Sequence, residues 1–596
     1  MPLILESSLT RTFISRCEKT PEAPAFSERK DASWVDLSFG QFETQMLSIA
    51  AWLNTQNIRP GENVAIVSEN SVAMVQLQFA LWAIGAVVVP VPPQLSSAEI
   101  QSILLDCSAS KVFFQDAALA ERVGPTELIA FNLKEAGSWI EEGRTLFAEP
   151  SPRVSAETLR KTLWDSDPLA LFILIYTSGT SGEPKGVMLS QRNLMSCLHD
   201  TTEVFRDHLE TEKESRLMVL PLAHIFGQFE LALSWVFGMK TSFSERSHRL
   251  VDELQEVQPT LLFGVPKVFE KVLVAIEKSL EARPSHERKI TEKLLEAARR
   301  VADSRENLQR PSLTDSAENL LAQQTVVRAI QKKLGGRLKF AISGGAPLSA
   351  ELGRELNLMG FKILEGYGLT ETCGPISIND PTAPCFGTVG KLLTEVEIQF
   401  SSDSEIKILS PKNFLGYWRK PEATAEVLKE GWLHTGDLGF LDSEGRLHIT
   451  DRRKELIKLS TGRSVPPQKI ESLARSSRIL EDFVVLGDGQ SSIGALVTLN
   501  REIILKYCAE RQILFSSFKE LIDHPKVRGL VQSEIEQINE ALAEHEKIRR
   551  FVILPEALSV YTGVMTPNQK PRRHLIAERY RAEIEALFPS SPLSLI

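Results

Sequence analysis

Cysteine is scarce and scattered. Six cysteines (Cys17, Cys107, Cys197, Cys373, Cys385 and Cys508) are spread over 596 residues with no close pair. That pattern suggests neither a disulfide framework nor a zinc site, and it fits a reducing cytosol. Long apolar runs are also missing. The longest, Phe79–Val91, is too short to span a bilayer; it reads as the end of a buried helix, a turn at Gly85 and a buried strand. There is no excess of positive charge. A formal net charge of −9 argues against general nucleic-acid binding while leaving room for a local basic pocket. The first residues carry Glu6 early and have no basic region before a long apolar core, so they do not read as a signal peptide. Internal repeats, low-complexity segments and a Gly-x-Ser-x-Gly hydrolase elbow are absent as well.

What is present belongs to a globular, multidomain protein. The length exceeds one ordinary core, and 43% hydrophobic with 24% charged residues is the composition of a soluble protein. Residues 40–175 alternate between helical spacing (Phe42–Leu53, Ala73–Ile84) and short apolar runs (Asn63–Val67, Val87–Val91, Lys111–Phe114). Alternation of this kind predicts α/β layers. It continues at Leu217–Leu220, Thr260–Phe263 and Leu338–Ile342, interrupted over 270–335 by charged helical sequence that reads as a solvated excursion. Near residue 450 the texture changes, with strands expected at Gly445–Ile449, Phe483–Leu486 and Ala495–Leu499. A helix is expected near 534–548, carrying Ile535, Ile538, Leu542 and His545 on one face. The expected domains are 1–450 and 451–596.

The most informative stretch is Tyr176–Gly186, Tyr-Thr-Ser-Gly-Thr-Ser-Gly-Glu-Pro-Lys-Gly. An apolar run at Leu169–Ile175 precedes it and Ser190 reads as the N-cap of a following helix, so a strand–loop–helix unit is expected. Glycines let the backbone approach a phosphate, hydroxyls and main-chain N–H groups donate to it, and Lys185 supplies charge. It is not a Walker A loop, because Pro184 and Gly186 flank the lysine. The second stretch is Glu365–Thr372. Tyr367 between glycines can face a planar base, Thr370 can donate to a phosphate oxygen, and Glu371 can hold Mg²⁺. It is not a dinucleotide fingerprint, since Glu371 occupies the third glycine position. Three further stretches are Leu220–Gly227 with His224, Gly431–Gly439 with Asp437, and Met565–Arg573 with Lys570. In isolation these read as a core histidine, a turn aspartate and a solvated basic cluster.

Together, these stretches resemble the adenylate-forming superfamily of acyl-CoA synthetases, firefly luciferase and peptide-synthetase adenylation domains. The resemblance runs from about residue 8 to 588. Phe263–Lys271, Gly335–Pro347 and the helical segment before Lys570 are most similar to bacterial long-chain fatty acyl-CoA synthetases. It implies a large N-terminal domain of layered α/β subdomains and a smaller, mobile α+β C-terminal domain. Thr177, Ser178, Gly179, Thr180, Lys185, Gly344, Gly345, Ala346, Tyr367 and Gly368 would then bind ATP, with Asp437 and Arg452 on the ribose. Thr370, Glu371, His224 and Lys570 would be catalytic, with Glu371 on the metal. Asp451 would be the hinge, and Lys458 and Gly462 would line the coenzyme A path. Gln569 and Pro571 depart from the usual lysine-loop pattern, Pro92-Pro-Gln-Leu from the usual Tyr-Pro-Thr, and Leu392–Thr394 lacks the usual prolines.

The implied reaction joins a medium- or long-chain fatty acid to AMP, with loss of pyrophosphate, and then passes the acyl group to coenzyme A. An acyl-carrier protein is the alternative acceptor. ATP, Mg²⁺ and coenzyme A are the expected cofactor and co-substrates. No nucleic-acid partner is expected. The expected location is cytoplasmic, with peripheral contact at the inner membrane face left open.

Overall fold

The computed structural model describes residues 3–30, 33–126, 128–148, 155–178, 184–245, 249–306, 309–475, 477–560, 562–566 and 570–588. By internal contacts the chain divides into two compact units. The larger comprises Met1–Ala346, Gly353–Ile398 and Ile408–Leu433; the smaller comprises Pro347–Leu352, Gln399–Lys407 and His434–Ile596.

Two sheets organise the larger unit. In the first, strands run in the order Gly416–Tyr417, Pro184–Ser190, Leu171–Ser178, Val87–Val91, Asn63–Val67, Lys111–Phe114 and Ile129–Asn132. The last five are parallel. Val87–Val91 and Asn63–Val67 are buried at every position, as expected of parallel strands covered on both faces. The second sheet has nine strands. Its central parallel members are Phe340–Ser343, Leu261–Gly264, Ser215–Met218 and Lys240–Phe243, flanked on one side by Ile363–Leu369. The helices Phe39–Asn54, Val72–Ala83 and Ile225–Phe237 bring Phe42, Phe79 and Trp235 together with Phe13 and Phe26, their ring centroids 4.6–6.2 Å apart. Aromatic contacts of this kind add specificity to the large apolar area that they bury.

The expected excursion over 270–335 is helical: Pro266–Glu281, Ser285–Glu306, Leu313–Ala322 and Arg328–Lys333. Its charged face is laced by pairs such as Arg299–Glu355, while Ala297, Ala298 and Val301 are buried.

In the smaller unit, Leu480–Leu486, Ile493–Leu499 and Ile548–Ile553 form a three-stranded sheet packed against the helix Pro525–Glu540. This helix corrects the expected span of 534–548. His524 caps it through its side chain, Pro525 occupies its first turn, and it ends at Glu540. Leu542 still reaches the core from the following turn, whereas His545 lies off the helix beside Arg463, 3.2 Å away. The helical spacing of those two residues was fortuitous. Asp451 and Arg452 lie beyond the expected strand end at Ile449 but close the strand Leu447–Arg452, which pairs with Trp432–Leu441. Among the described residues no helix is long and apolar enough to cross a membrane.

Candidate active site

The Tyr176–Gly186 stretch departs from the expected strand–loop–helix. Leu171–Ser178 and Pro184–Ser190 pair antiparallel, with Thr177 opposite Lys185. The helix Gln191–Phe205 begins only after the second strand, with Ser190 and Asn193 forming a capping box. Val187 and Leu189 are buried, and that burial holds the second strand despite the Pro-Lys-Gly start. Gly186 is closely packed here: a Cβ would stand 3.0 Å from both the Leu174 and Tyr176 side chains. The Tyr176 hydroxyl donates to Asp106 at 2.5 Å, which anchors the strand. Thr177 lies at the neck of this hairpin and Ser178 ends its first strand. Gly179 and Thr180 lie outside the described residues.

In the nine-stranded sheet, Phe340–Ser343 and Ile363–Leu369 run parallel with Ser343 opposite Glu365. Beyond Ser343 the chain leaves the sheet through Gly344, Gly345 and Ala346. A Cβ on Gly344 would stand 3.0 Å from the Phe226 ring, so this turn lies against the first residues of the Ile225–Phe237 helix, whose N-cap is half-buried His224. Ligands of open α/β sheets collect at such carboxyl ends of strands. Ile363–Leu369 then pairs back with Gly374–Ile378, placing Tyr367 opposite Ser377. Gly368 admits no side chain, because a Cβ would stand 2.0 Å from the Gly374 carbonyl oxygen.

Thr370 and Glu371 lie in the single 3-10 turn that reverses the chain between these strands. Glu371 is held twice. Its carbonyl accepts from the Phe414 N–H at 2.8 Å, and its Oε1 accepts from the Tyr417 hydroxyl at 2.7 Å. Burial, together with the Glu371 charge, pushes the Tyr417 hydroxyl well above its ordinary range, so it stays a donor. The Lys185 ammonium stands over the same ring, 5.1 Å from its centroid. Thus Lys185 from one sheet and Glu371 from the other both meet Tyr417. Sequence reasoning passed over Tyr417. Its strand is two residues long, and only the Gly416-Tyr417 pair, closely followed by Pro421, was there to mark it.

Among the described residues no cluster of three or more His, Cys, Asp or Glu side chains forms a resident metal centre. A Mg²⁺ that arrives on phosphate oxygens needs only one or two carboxylates. The Glu371 carboxylate with the neighbouring Thr370 hydroxyl fits that requirement.

The smaller unit holds a second group. Asp437, expected in a turn, is a buried strand residue at 2% exposure, cross-strand from Arg452, whose Nε lies 2.8 Å from Asp437 Oδ1. Next to it Asp451 is 1% exposed and accepts from the Arg452 N–H at 2.6 Å. Burial pushes its carboxyl up to about 7. Lys570 is half-buried. Burial, with the Arg452 guanidinium nearby, pushes its ammonium down to about 8, against the pull of Asp437 and Glu455. Its backbone is tied to Thr566: the Lys570 N–H donates to Thr566 Oγ1 at 3.0 Å, and its carbonyl accepts from the Thr566 N–H at 2.8 Å. Pro571 bridges Met565, and the Arg572 N–H donates to Val564. None of these bonds needs the N–H that Pro571 lacks, so this departure is accommodated. Gln569 lies outside the described residues.

Lys458 and Gly462 sit apart in their own short hairpin, Ile457–Lys458 with Ser464–Val465. Lys458 is exposed, and its N–H donates to Asp488 at 3.0 Å. Gly462 has φ +80° with open space where a Cβ would be.

Residues 13–418 match the family model described as AMP-binding enzyme, and residues 454–591 match the AMP-binding enzyme C-terminal domain. The chain belongs to the AMP-binding enzyme family. Relatives of this AMP-binding enzyme align along almost all of it. The long-chain-fatty-acid–CoA ligase FadD15 of Mycobacterium bovis is 32% identical over 583 residues, covering 95% of each chain. The long chain acyl-CoA synthetase 1 of Arabidopsis thaliana is 28% identical, covering 94% of this chain and 89% of its own. Among solved structures, O-succinylbenzoate coenzyme A synthetase of Bacillus subtilis, in complex with ATP and a magnesium ion, superimposes with a TM-score of 0.67. It is 21% identical, over 95% of this chain and 98% of that one. This likeness establishes the adenylate-forming fold.

Proposed function

We propose that this AMP-binding enzyme is an ATP-dependent ligase that activates a medium- or long-chain fatty acid to acyl-AMP and then transfers the acyl group to coenzyme A. The carrying observation is the alignment, over 95% of both chains, with a long-chain-fatty-acid–CoA ligase. Coenzyme A is the acceptor favoured by the relatives' names.

A carboxylate is a poor acyl donor because its leaving group is oxide. Joining it to AMP makes a mixed anhydride with a good leaving group. Two anions must meet first, so positive charge has to offset their repulsion. Lys185 pairs with the nucleotide's terminal phosphates, and Glu371 with Thr370 holds the metal end. Mg²⁺ supplies charge neutralisation on the phosphate oxygens. Gly344, Gly345, Ala346, Tyr367 and Gly368 line the nucleotide pocket, with His224 beside the acyl carboxylate. Asp437 accepts from the ribose hydroxyls and Arg452 assists. Lys570 bridges carboxylate and nucleotide during adenylation. The C-terminal domain then turns about Asp451 and exchanges the Lys570 loop for the Lys458–Gly462 segment, where Gly462 lets the pantetheine arm pass. No nucleophilic side chain takes part. All six cysteines are free thiols, in keeping with a cytoplasmic setting.

The test is ATP–pyrophosphate exchange over acids from acetate to oleate, followed by product analysis with coenzyme A or an acyl-carrier protein as acceptor. Each methylene buried in an apolar tunnel contributes about 0.8 kcal/mol, so kcat/KM should climb over several methylenes and level off. An optimum at acetate or at an aromatic acid would remove the fatty-acid assignment. Absence of exchange with every acid would remove adenylation itself.

A further inference from the structure

We propose that Tyr417 is a positioning residue that holds Lys185 and Glu371 while keeping them apart, so that ammonium and carboxylate both remain available to a nucleotide and its divalent cation. This rests on the adenylate-forming reading above.

Opposite charges facing one small space attract each other and would neutralise the site by pairing. A single neutral side chain touches both. The hydroxyl holds one carboxylate oxygen of Glu371 at 2.7 Å, and the ring face lies 5.1 Å from the Lys185 ammonium. A hydrogen bond to a carboxylate is of the stronger, charge-assisted kind. An ammonium over a ring face is held without being neutralised. One contact therefore orients the anion and the other orients the cation.

Tyr417 is itself fixed from several sides. It is 7% exposed. Its backbone pairs with Val187, two residues beyond Lys185 on the same strand. Its N–H donates to the Thr424 hydroxyl at 2.9 Å, and its ring packs edge-on against Phe414 at 4.9 Å. Gly416 before it adopts φ +134°, where a Cβ would stand 3.0 Å from Thr424. Upstream, Lys412 and Asp200 form a fully buried ion pair at 2.6 Å, and Asn193 donates to the carbonyls of Pro411 and Asn413. These contacts fasten the Pro411–Tyr417 segment to the Gln191–Phe205 helix. The same segment supplies the Phe414 N–H that holds the Glu371 backbone. A residue that merely filled space would not need its hydroxyl.

The experiment is binding of Mn²⁺–ATP to the full chain, read by electron paramagnetic resonance of the bound Mn²⁺, beside calorimetric binding of ATP in EDTA. Tyr417→Phe keeps the ring and loses the hydroxyl. It should weaken Mn²⁺–ATP about tenfold, as expected for loss of one hydrogen bond to a charged group, and leave metal-free ATP binding unchanged. Tyr417→Leu loses both contacts and should weaken both ligands. The double variant Tyr417→Phe/Glu371→Gln should bind Mn²⁺–ATP no more weakly than Glu371→Gln alone. Unchanged Mn²⁺–ATP binding in Tyr417→Phe would overturn the proposal. So would equal weakening of metal-free ATP, or additive losses in the double variant. If Tyr417→Leu fails to fold, the Phe variant and the double variant decide. A wild-type enzyme that binds Mn²⁺–ATP in this way but exchanges no pyrophosphate would refute the ligase reading and leave the role of Tyr417 standing.

Discussion

Asp451→Asn should stabilise the smaller unit, and by more as pH rises. The Asp451 carboxyl is 1% exposed, and burial raises it to about 7, with the Glu455 charge also raising it. The Arg452 N–H, the Gln468 N–H and the Arg573 charge oppose the shift. An unfolded aspartate titrates near 3.9. A carboxyl raised on folding favours the folded state fully only below its unfolded value, and that benefit is lost as pH rises through the folded value. The cost of ionising Asp451 in place is therefore about 1.5 kcal/mol at about pH 5 and about 4 kcal/mol at about pH 8. Asparagine never ionises. It still accepts the Arg452 N–H, but it buries an NH₂ where Asp451 Oδ2 has no hydrogen-bond partner. That offset does not change with pH, so it cancels between the two conditions and leaves a gain of about 2.5 kcal/mol from pH 5 to pH 8. The assay must see the right unit. All eight tryptophans lie in the larger unit, so their emission will report chiefly that unit rather than this change. Hydrogen exchange of the Leu447–Arg452 and Ile493–Leu499 amides will, because those strands lie in the smaller unit's sheets. Equal protection gains at both pH values, or none, would refute the reasoning.

Glu371→Gln should lower Mg²⁺-dependent pyrophosphate exchange by about two orders of magnitude, in line with loss of one preorganised charge, while tryptophan emission on denaturation stays as in wild type. Lys570→Ala should lose about 3 kcal/mol of adenylation and still convert supplied acyl-AMP and coenzyme A to product, whereas Gly462→Leu should form acyl-AMP and stall; running each half-reaction separately checks both. Equal losses in both steps for Lys570→Ala would withdraw Lys570 from catalysis. The Lys570 ammonium, lowered to about 8, is lost as pH rises through that value, so adenylation should decline there, and Lys570→Arg, which keeps its charge, should abolish that limb.

Much of the fold was legible from apolar runs alone. Asn63–Val67, Val87–Val91 and Lys111–Phe114 are strands with those ends, because runs buried on both faces carry an undiluted apolar signal. Pro184–Ser190 was not legible. Its Pro-Lys-Gly start reads as loop, and only its neighbours, Leu171–Ser178 on one side and Gly416–Tyr417 on the other, make it a strand. Glu371 could be singled out because it sits in a dense local motif. Tyr417 could not, since its importance lies in contacts with residues 46 and more positions away in sequence. The 534–548 span failed for the opposite reason: local spacing at Leu542 and His545 imitated a helix that the Pro525 start had already placed further upstream.

The pairing of Thr177 with Lys185 imposes a parity on this part of the chain. Successive strand residues face opposite ways, so one residue gained or lost between Lys185 and the buried Val187 would turn the ammonium to the far side of the sheet. Length changes between Lys185 and Val187 should therefore misdirect the lysine, and single-codon insertions there would show it directly.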